Sequence, residues 1–214
     1  METQQEKFWQ SSFGQDYTRR NLYINPAALD NFYKKRLGVS RSEMNKNFLR
    51  GLKIKNILEA GCNTGNQLIL LQKQGYNNLY GFDIQRDTVE MAKQYSKGIN
   101  IIEGSIFDVP FKSDYFDLVF TSGVLIHIAP KHLKCAMQEI YRVSKKYIWG
   151  YEYFSEKYQT IEYRGHKDRL WKGNFADIYL KYFPDTQLIK EQKFSSLSNP
   201  QEVDTMFLLK KIKK

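Results

Sequence analysis

Short apolar runs alternate along the middle of the chain with segments whose apolar residues recur every three or four positions. Runs of the first kind predict strands at 54–59, 78–83, 100–103, 116–121 and 145–152. Segments of the second kind predict helices at 65–75, 86–97 and 131–143. Strands that are apolar along nearly their whole length indicate a parallel sheet that is covered on both faces. The pattern therefore predicts an α/β fold.

The first fifty residues lack strand alternation and predict a helical cap. An Asn25 cap followed by Pro26 begins one helix, which continues to about Arg36. Ser40 and Glu43 have the spacing of a capping box, which begins a second helix that ends near residue 50. We place the boundary between this cap, residues 1–51, and the sheet-forming domain, residues 52–214.

Three aromatic residues, Trp9, Phe13 and Tyr17, recur at intervals of four before these helices. Four-residue spacing puts them on one face of a helix. One interpretation is a stripe that packs on the sheet, and the other is a lid that closes over a ligand. The sequence leaves both open.

The last third of the chain predicts a polar and aromatic segment at 155–169, then a helix from Leu170 to Phe183 that ends before Pro184. Two strands follow, at 187–192 and 204–210. We place these strands as an antiparallel pair that completes the sheet.

A strand, a turn and an acid form the most informative motif. The strand at 54–59 leads to Gly61 and Gly65, where the backbone can turn sharply and approach a ligand closely. Asp83 ends the next strand, eighteen residues beyond Gly65, where its carboxylate can accept hydrogen bonds from a ribose diol. Taken alone, the turn is equally consistent with a tight connection in any α/β protein.

The strand ends that follow strengthen the ligand-binding interpretation. Glu59, Asp83, Ser105 and Thr121 each come at the carboxyl end of a predicted strand. Ligands of doubly wound folds bind in the crevice outside these ends. We therefore expect the four side chains to line one crevice.

These motifs resemble those of the class I S-adenosylmethionine-dependent methyltransferases. The segment from Glu59 to Gly65 matches the first motif of that family, and Asp83 matches its ribose acid. Residues 104–106 match the adenine-contacting loop, and residues 117–119 match the fourth motif. The resemblance implies a Rossmann-like seven-stranded sheet, mostly parallel with an antiparallel last strand, and S-adenosylmethionine as cofactor, with S-adenosylhomocysteine as product. The cofactor-binding residues that it implies are Glu59, Gly61, Cys62, Asn63, Gly65, Asp83, Ile84, Ser105, Ile106 and Thr121, with Tyr17 and Arg20 from the cap.

Composition adds limits to this interpretation. No apolar run approaches the roughly 20 residues of a membrane span, and the polar start lacks the apolar segment of a signal peptide, so we expect a soluble cytoplasmic protein. Cys62 and Cys135 lack the spacing of a zinc site or a disulfide framework, and we expect both to be buried and no metal to be bound. The net charge of +10 could attract nucleic acid, nucleotide-linked substrates or an anionic membrane, or it could be ordinary solvated surface.

Methyl transfer from a sulfonium requires orientation above all, while a hydroxyl acceptor also needs a base within hydrogen-bond reach. His127 follows the fourth strand directly, and Glu152 ends the fifth. We predict these two as catalytic residues. The alternative for His127 is a histidine that bonds to backbone and only shapes the pocket.

A second resemblance covers nearly the whole chain. Motifs at 8–21, 104–108, 123–128, 163–166, 175–176 and 204–209 are similar to those of the pseudaminic acid biosynthesis-associated methyltransferases. This resemblance implies a sugar or nucleotide-sugar acceptor, held by an insertion at about 153–183. The chain departs from the family pattern at Asn63, at Ser105 and at Gly173–Asn174. The acceptor-binding residues that we predict are Trp9, Tyr153, Tyr163, Arg164 and His166.

The sequence is also consistent with two other functions. The positive charge and the many aromatic residues would suit an RNA methyltransferase, although the chain has neither an Asn/Asp-Pro-Pro-Tyr/Phe motif nor a Pro-Cys nucleophile. A non-catalytic binding protein that keeps the fold is the other. The sequence predicts neither the acceptor atom nor the oligomeric state.

Overall fold

The computed structural model describes residues 3–23 and 25–212. The terminal residues 1, 2, 213 and 214, which fall within the predicted domains, lie outside the described residues. The elements in chain order are α1 (Gln4–Gln10), α2 (Ser12–Arg20), α3 (Pro26–Leu37), α4 (Arg41–Leu49), β1 (Asn56–Ala60), α5 (Asn66–Lys73), β2 (Asn78–Asp83), α6 (Arg86–Tyr95), β3 (Asn100–Glu103), β4 (Phe116–Ser122), a 3₁₀ turn (Leu125–His127), α7 (Pro130–Val143), β5 (Ser144–Tyr153), β6 (Gln159–Tyr163), β7 (His166–Lys172), α8 (Phe175–Tyr182), β8 (Thr186–Ser195) and β9 (Val203–Lys211).

Seven strands form one sheet in the order β3-β2-β1-β4-β5-β9-β8. The strands from β1 to β5 pair in parallel, and β9 lies antiparallel to both of its neighbours. The prediction of a mostly parallel seven-stranded sheet with an antiparallel last strand is confirmed. The order reverses at β1, whose neighbours are β2 and β4, so a crevice opens at the carboxyl ends of these strands.

Each face of the sheet carries its own core, because successive side chains of a strand point to opposite faces. Ile57 packs with helices α3 to α6 on one face, while Leu58 packs with α7 and α8 on the other. Both side chains are fully buried. This two-sided cover accounts for strands that are apolar along their whole length.

The predicted cap consists of four helices in the described residues. Thr3 and Glu6 form a capping box at the start of α1, and Ser40 and Glu43 form the predicted one at the start of α4. Ser11 adopts an extended conformation and separates α1 from α2. The aromatic stripe of the first twenty residues is therefore divided between two short helices.

The segment 155–183 differs from the prediction. The helix expected from Leu170 begins only at Phe175, after Asn174, whose side chain accepts the Asp177 N–H. Leu170 and Trp171 are buried in β7, which pairs with β6 as a separate two-stranded hairpin. Their adjacent apolar side chains resembled the start of a helical face. The expectation of two buried cysteines also fails, since Cys135 is exposed on α7.

A buried ion pair joins the cap to the far half of the sheet. The Arg36 guanidinium on α3 donates to both carboxylate oxygens of Asp204 on β9, and the Tyr151 hydroxyl donates to the same carboxylate. Only 1% of the Asp204 side chain is exposed, against 22% for Arg36. The pair fixes α3 over β5 and β9.

Replacing Arg36 with methionine should lower the free energy of unfolding by about 3 kcal/mol, because the buried Asp204 carboxylate loses its counter-charge. Chemical denaturation followed by circular dichroism measures the change. Arg19→Met is the matched control, since its pair with Asp16 is exposed and should cost less than about 1 kcal/mol. Equal effects of the two substitutions would contradict a structural role for the Arg36 pair.

Candidate active site

A crevice lies at the carboxyl ends of the central strands and holds a cavity of about 230 Å³. Its floor comes from β1, β2, the loop after β3 and the loop after β4, and the cap helices form its roof. The lining residues are Gln5, Glu6, Trp9, Tyr17, Asn21, Tyr23, Leu29, Phe32, Tyr33, Glu59, Gly61, Cys62, Asn63, Asn66, Gln67, Phe82, Asp83, Ile84, Gln85, Gly104, Ser105, Ile106, Phe107, Ser122, Gly123, Val124, His127 and Ile128.

The bend after β1 needs its special residues. Gly61 and Gly65 have φ values of 71° and 77°, in the left-handed region that glycine adopts without strain. A Cβ on Gly61 would lie 2.8 Å from a methyl carbon of Val124. Asn63 has φ 47°, and asparagine is among the few other residues that tolerate this region, which explains why it can stand where the family has glycine. Gly65 caps α5 behind the crevice and does not line it.

Asp83 faces this bend. Its carboxylate accepts the Asn63 N–H at 2.8 Å and the Gln85 N–H at 3.0 Å. Burial raises the pKa of Asp83, and the backbone N–H donors of Gln85, Asn63 and Ile84 oppose that rise. The carboxylate therefore ties the ends of β1 and β2 together and still lines the crevice.

Glu59 is the second-last residue of β1. Its side chain is buried, and Oε2 has no hydrogen-bond partner among the described residues. Burial raises the pKa of Glu59 well above its usual range, and the Arg41 guanidinium opposes the rise. A buried acid without a donor suits a ligand that brings its own hydrogen-bond donors.

A contact that the sequence analysis missed closes the crevice beside β3. The Ser105 hydroxyl donates to the Glu6 carboxylate at 2.5 Å, and the Phe107 N–H donates to the Ser105 hydroxyl. Glu6 thus brings α1 of the cap onto the loop where the family often has an acid. The signal was present, because Thr3 and Glu6 have capping-box spacing, which places Glu6 in the first turn of a helix.

His127 lies in the crevice wall after β4. Its Nδ1 is 2.8 Å from the Arg169 carbonyl oxygen, which can only accept, so Nδ1 carries the proton. Burial lowers the pKa of His127 to about 4. The imidazole is therefore neutral at pH 7, with a lone pair on Nε2.

Rings from three parts of the chain surround His127. The ring centroids of Trp9, Tyr163 and Tyr17 lie 4.6, 5.4 and 6.5 Å from its own, in tilted or edge-on arrangements. We call these four residues the aromatic cluster. It brings α1, α2, the 3₁₀ turn and the hairpin to one place, as expected if the predicted acceptor-binding side chains Trp9 and Tyr163 act with His127.

Glu152 and Thr121 lie behind the crevice, unlike the prediction. The Glu152 carboxylate accepts the N–H groups of Val124 and Ile126 at 3.3 and 3.4 Å, and the Thr121 side chain hydrogen-bonds to it. Ser122 lines the crevice in place of Thr121, because neighbouring side chains of a strand point to opposite faces. Glu152 holds the turn that presents His127.

Four predicted residues lie at or beyond the rim. Arg20 is exposed and stacks over Phe13, and Tyr153 lies near Arg36, outside the crevice. Arg164 is exposed at the tip of the hairpin, where its φ is 50°. The exposed His166 packs its ring 5.0 Å from that of Phe8, so it joins the hairpin to the cap.

The remaining predicted cofactor residues do line the crevice. Cys62 and Ile84 flank Asp83 along the floor, and Ile106 follows Ser105. Besides Glu6, the lining residues from the cap that the sequence analysis missed are Gln5, Asn21, Tyr23, Leu29, Phe32 and Tyr33. A helical pattern shows that a helix has a buried face but not which neighbour it covers.

Residues 58–147 match the protein family described as "Methyltransferase domain". The matched stretch spans β1 to β5, including the bend, Asp83 and His127. Over this stretch the chain is similar to methyltransferase domains. The match and the fold support an enzyme that takes its methyl group from S-adenosylmethionine.

Several solved structures share the fold of this chain. The 1,6-didemethyltoxoflavin-N1-methyltransferase of Burkholderia thailandensis, solved with its substrate and S-adenosylhomocysteine, has a TM-score of 0.71 at 13% identity, over 97% of this chain and 88% of its own. The PH0226 protein of Pyrococcus horikoshii has a TM-score of 0.68 at 17% identity, over 92% and 98%. A SAM-dependent methyltransferase of Methanosarcina mazei reaches 0.64 at 15% identity, over 80% and 98%.

One curated relative matches in sequence, an uncharacterized protein of Haemophilus influenzae. It is 27% identical over 97 residues, which cover 42% of this chain and 39% of the relative. The chain thus matches well under two thirds of the length of that relative. The closer resemblance to the pseudaminic acid-associated enzymes stays a prediction.

Residues 3–23 and 25–212 contain no cluster of three or more side chains that could hold a metal ion. No helix within these same residues has the length and apolar character that a membrane crossing needs.

The raised pKa of Glu152 gives a pH test of its position. Burial raises this pKa from 4.5 to about 7, so the unfolded chain releases the proton first as pH rises. The stability that Glu152 contributes is full below pH 4.5 and is lost as pH rises through 7. As pH rises from 4.5 to 8, the free energy of unfolding of the Glu152→Gln variant should therefore fall by about 2–3 kcal/mol less than that of the wild type.

Denaturant midpoints across this pH range measure the difference. Glu162→Gln, on the exposed side of β6, is the control and should follow the wild type. Parallel curves for Glu152→Gln and wild type would rule out a raised Glu152 pKa.

Proposed function

We propose that the protein is an S-adenosylmethionine-dependent methyltransferase that acts on a small polar acceptor. The observation that carries this proposal is the orientation of Asp83 toward the Gly61–Asn63 bend, at the reversal point of the sheet. A ribose diol can hydrogen-bond to this carboxylate while the rest of the ligand lies against the exposed backbone of the bend.

The residues of the crevice fit this cofactor. Among the described lining residues there are three carboxylates, those of Glu6, Glu59 and Asp83, and neither a lysine nor an arginine. S-adenosylmethionine carries a sulfonium and an ammonium group, which carboxylates attract. The buried Glu59 Oε2 has no hydrogen-bond donor among the described residues, and a side chain on Gly61 would collide with Val124 in the crevice wall.

When bound, the cofactor supplies an electrophilic methyl group whose thioether leaving group needs no protonation. The protein must therefore orient the acceptor and exclude water. The cap helices exclude water from above, since the Glu6–Ser105 and Thr18–Asn63 hydrogen bonds join them to the crevice floor. His127 offers Nε2 to the acceptor as a hydrogen-bond acceptor or base.

The acceptor that the sequence suggests is a sugar or nucleotide-sugar hydroxyl or amine. The hairpin supports a role in acceptor binding, because Tyr163 contacts His127. A small-molecule acceptor also agrees with the fold neighbour from Burkholderia thailandensis, which acts on 1,6-didemethyltoxoflavin.

Asp83→Ala should weaken S-adenosylhomocysteine binding about 100-fold, because the diol loses a charged acceptor and the Asn63 and Gln85 N–H groups lose theirs. Isothermal titration calorimetry measures the affinity. Asp114→Ala removes an exposed acid far from the crevice and should bind as the wild type does. Wild-type protein that fails to bind S-adenosylmethionine would contradict the proposal and favour the non-catalytic alternative.

His127→Asn tests the proposed base. An asparagine amide can still donate to the Arg169 carbonyl, but it has no group at the position of Nε2. For a hydroxyl acceptor, kcat should fall by about 10²–10⁴, as for loss of a general base, while S-adenosylhomocysteine affinity changes less than about twofold. His132→Asn on α7 is the control. An unchanged kcat would assign His127 only to shaping the pocket.

A further inference from the structure

We propose that the methyl acceptor is an uncharged planar ring that carries an aromatic hydroxyl or a ring N–H, and that the crevice does not admit phosphorylated or nucleotide-linked acceptors. This inference rests on the proposed methyltransferase function and names its substrate class. It replaces the sugar nucleotide that the sequence suggested.

The order of strands places the two substrates. Asp83 and Ser105 follow β2 and β3, on one side of β1, and they mark the adenosyl half of the crevice. His127 follows β4, on the other side of β1. A donor held by Asp83 and the Ser105 loop would present its methyl group toward the end of β1, which leaves the half that His127 lines for the acceptor.

This half of the crevice has aromatic and aliphatic walls. The rings of Trp9 and Tyr17 meet nearly at right angles, with centroids 5.1 Å apart, and both contact the ring of His127. Val124 and Ile128 add aliphatic surface from the loop after β4. Rings that stand edge-on to one another leave faces against which a flat ligand can stack.

The crevice offers no cationic side chain to an anionic acceptor. No lysine or arginine lines it within residues 3–23 and 25–212, and Glu6 and Asp83 belong to the adenosyl half. A phosphate moved from water into such a site would lose hydration without gaining the paired cation that buried anions require. The net charge of +10 lies elsewhere on the protein, including the exposed Arg164 and Lys167 of the hairpin.

The transfer of the acceptor proton to His127 also favours an aromatic acceptor. The acceptor oxygen or nitrogen bonds to the methyl carbon as the carbon–sulfur bond breaks, the electron pair stays on sulfur, and the acceptor proton passes to His127 Nε2. A buried neutral imidazole is a weak base. Phenolic hydroxyls, with pKa near 10, release a proton far more readily than alkyl hydroxyls, whose acidity is closer to that of water.

Matched acceptors test the substrate class. Phenols and N–H heterocycles are offered to the full-length protein with labelled S-adenosylmethionine, each beside its phosphorylated derivative, together with free sugars and UDP-sugars. Mass spectrometry of the products should find methylation of the uncharged rings and at least tenfold less for each phosphorylated partner. Methylation confined to sugars or UDP-sugars, or preferred for the phosphorylated partners, overturns this inference.

Calorimetry with S-adenosylhomocysteine separates the two proposals. Donor binding together with methylation of a UDP-sugar overturns only the acceptor class. Absence of donor binding overturns the proposed function itself and the acceptor class with it.

Trp9→Ala tests whether the aromatic cluster forms the acceptor wall. The KM for the best ring acceptor should rise roughly tenfold, because a stacking face is lost, while the affinity for S-adenosylhomocysteine stays within about twofold. Tyr95→Ala removes an exposed aromatic residue from α6 and is the matched control. Loss of donor affinity without a change in the acceptor KM would place Trp9 on the donor and overturn the assignment of this wall.

Discussion

The hydrogen bonds that Asp83 accepts from the backbone are the constraint on which the site depends. The Asp83 carboxylate is buried at the end of β2, where the strand order reverses. A buried carboxylate is stable only when it accepts hydrogen bonds from nearby donors. Asn63 and Gln85 supply them, and each N–H fixes a loop that borders the crevice. The acid that we propose to bind the ribose is thus also the acid that shapes the bend.

Hydrogen bonds from the floor of the crevice also hold the cap helices that form its roof. Asn63 donates to the Thr18 hydroxyl of α2, and Ser105 donates to Glu6 of α1. Both floor residues are points where the chain departs from the family pattern, and both contact the cap. A glycine at position 63 could not make the first of these contacts. The two departures therefore share one structural consequence, which is that each side chain hydrogen-bonds to a cap helix.

The sheet could be predicted from the sequence because its evidence is local. Apolar runs of strand length and the distance from Gly65 to Asp83 each depend on neighbouring residues. The hairpin could not, because Leu170 and Trp171 are apolar in either a helix or a strand, and only tertiary packing decides between them. Thr121 and Ser122 show the same limit, since a shift of one residue along a strand reverses which side chain reaches the ligand.

Net charge shows most clearly how a global property can mislead about a site. A value of +10 favours anionic partners, yet the described lining of the crevice is acidic. Charges on solvated surfaces interact weakly across water and salt, with screening over about 8–10 Å. Groups inside a crevice act at short range and with less screening, so they govern what binds there. For the cationic donor and the uncharged acceptor that we propose, the acidic groups in the crevice therefore outweigh the lysines of the surface.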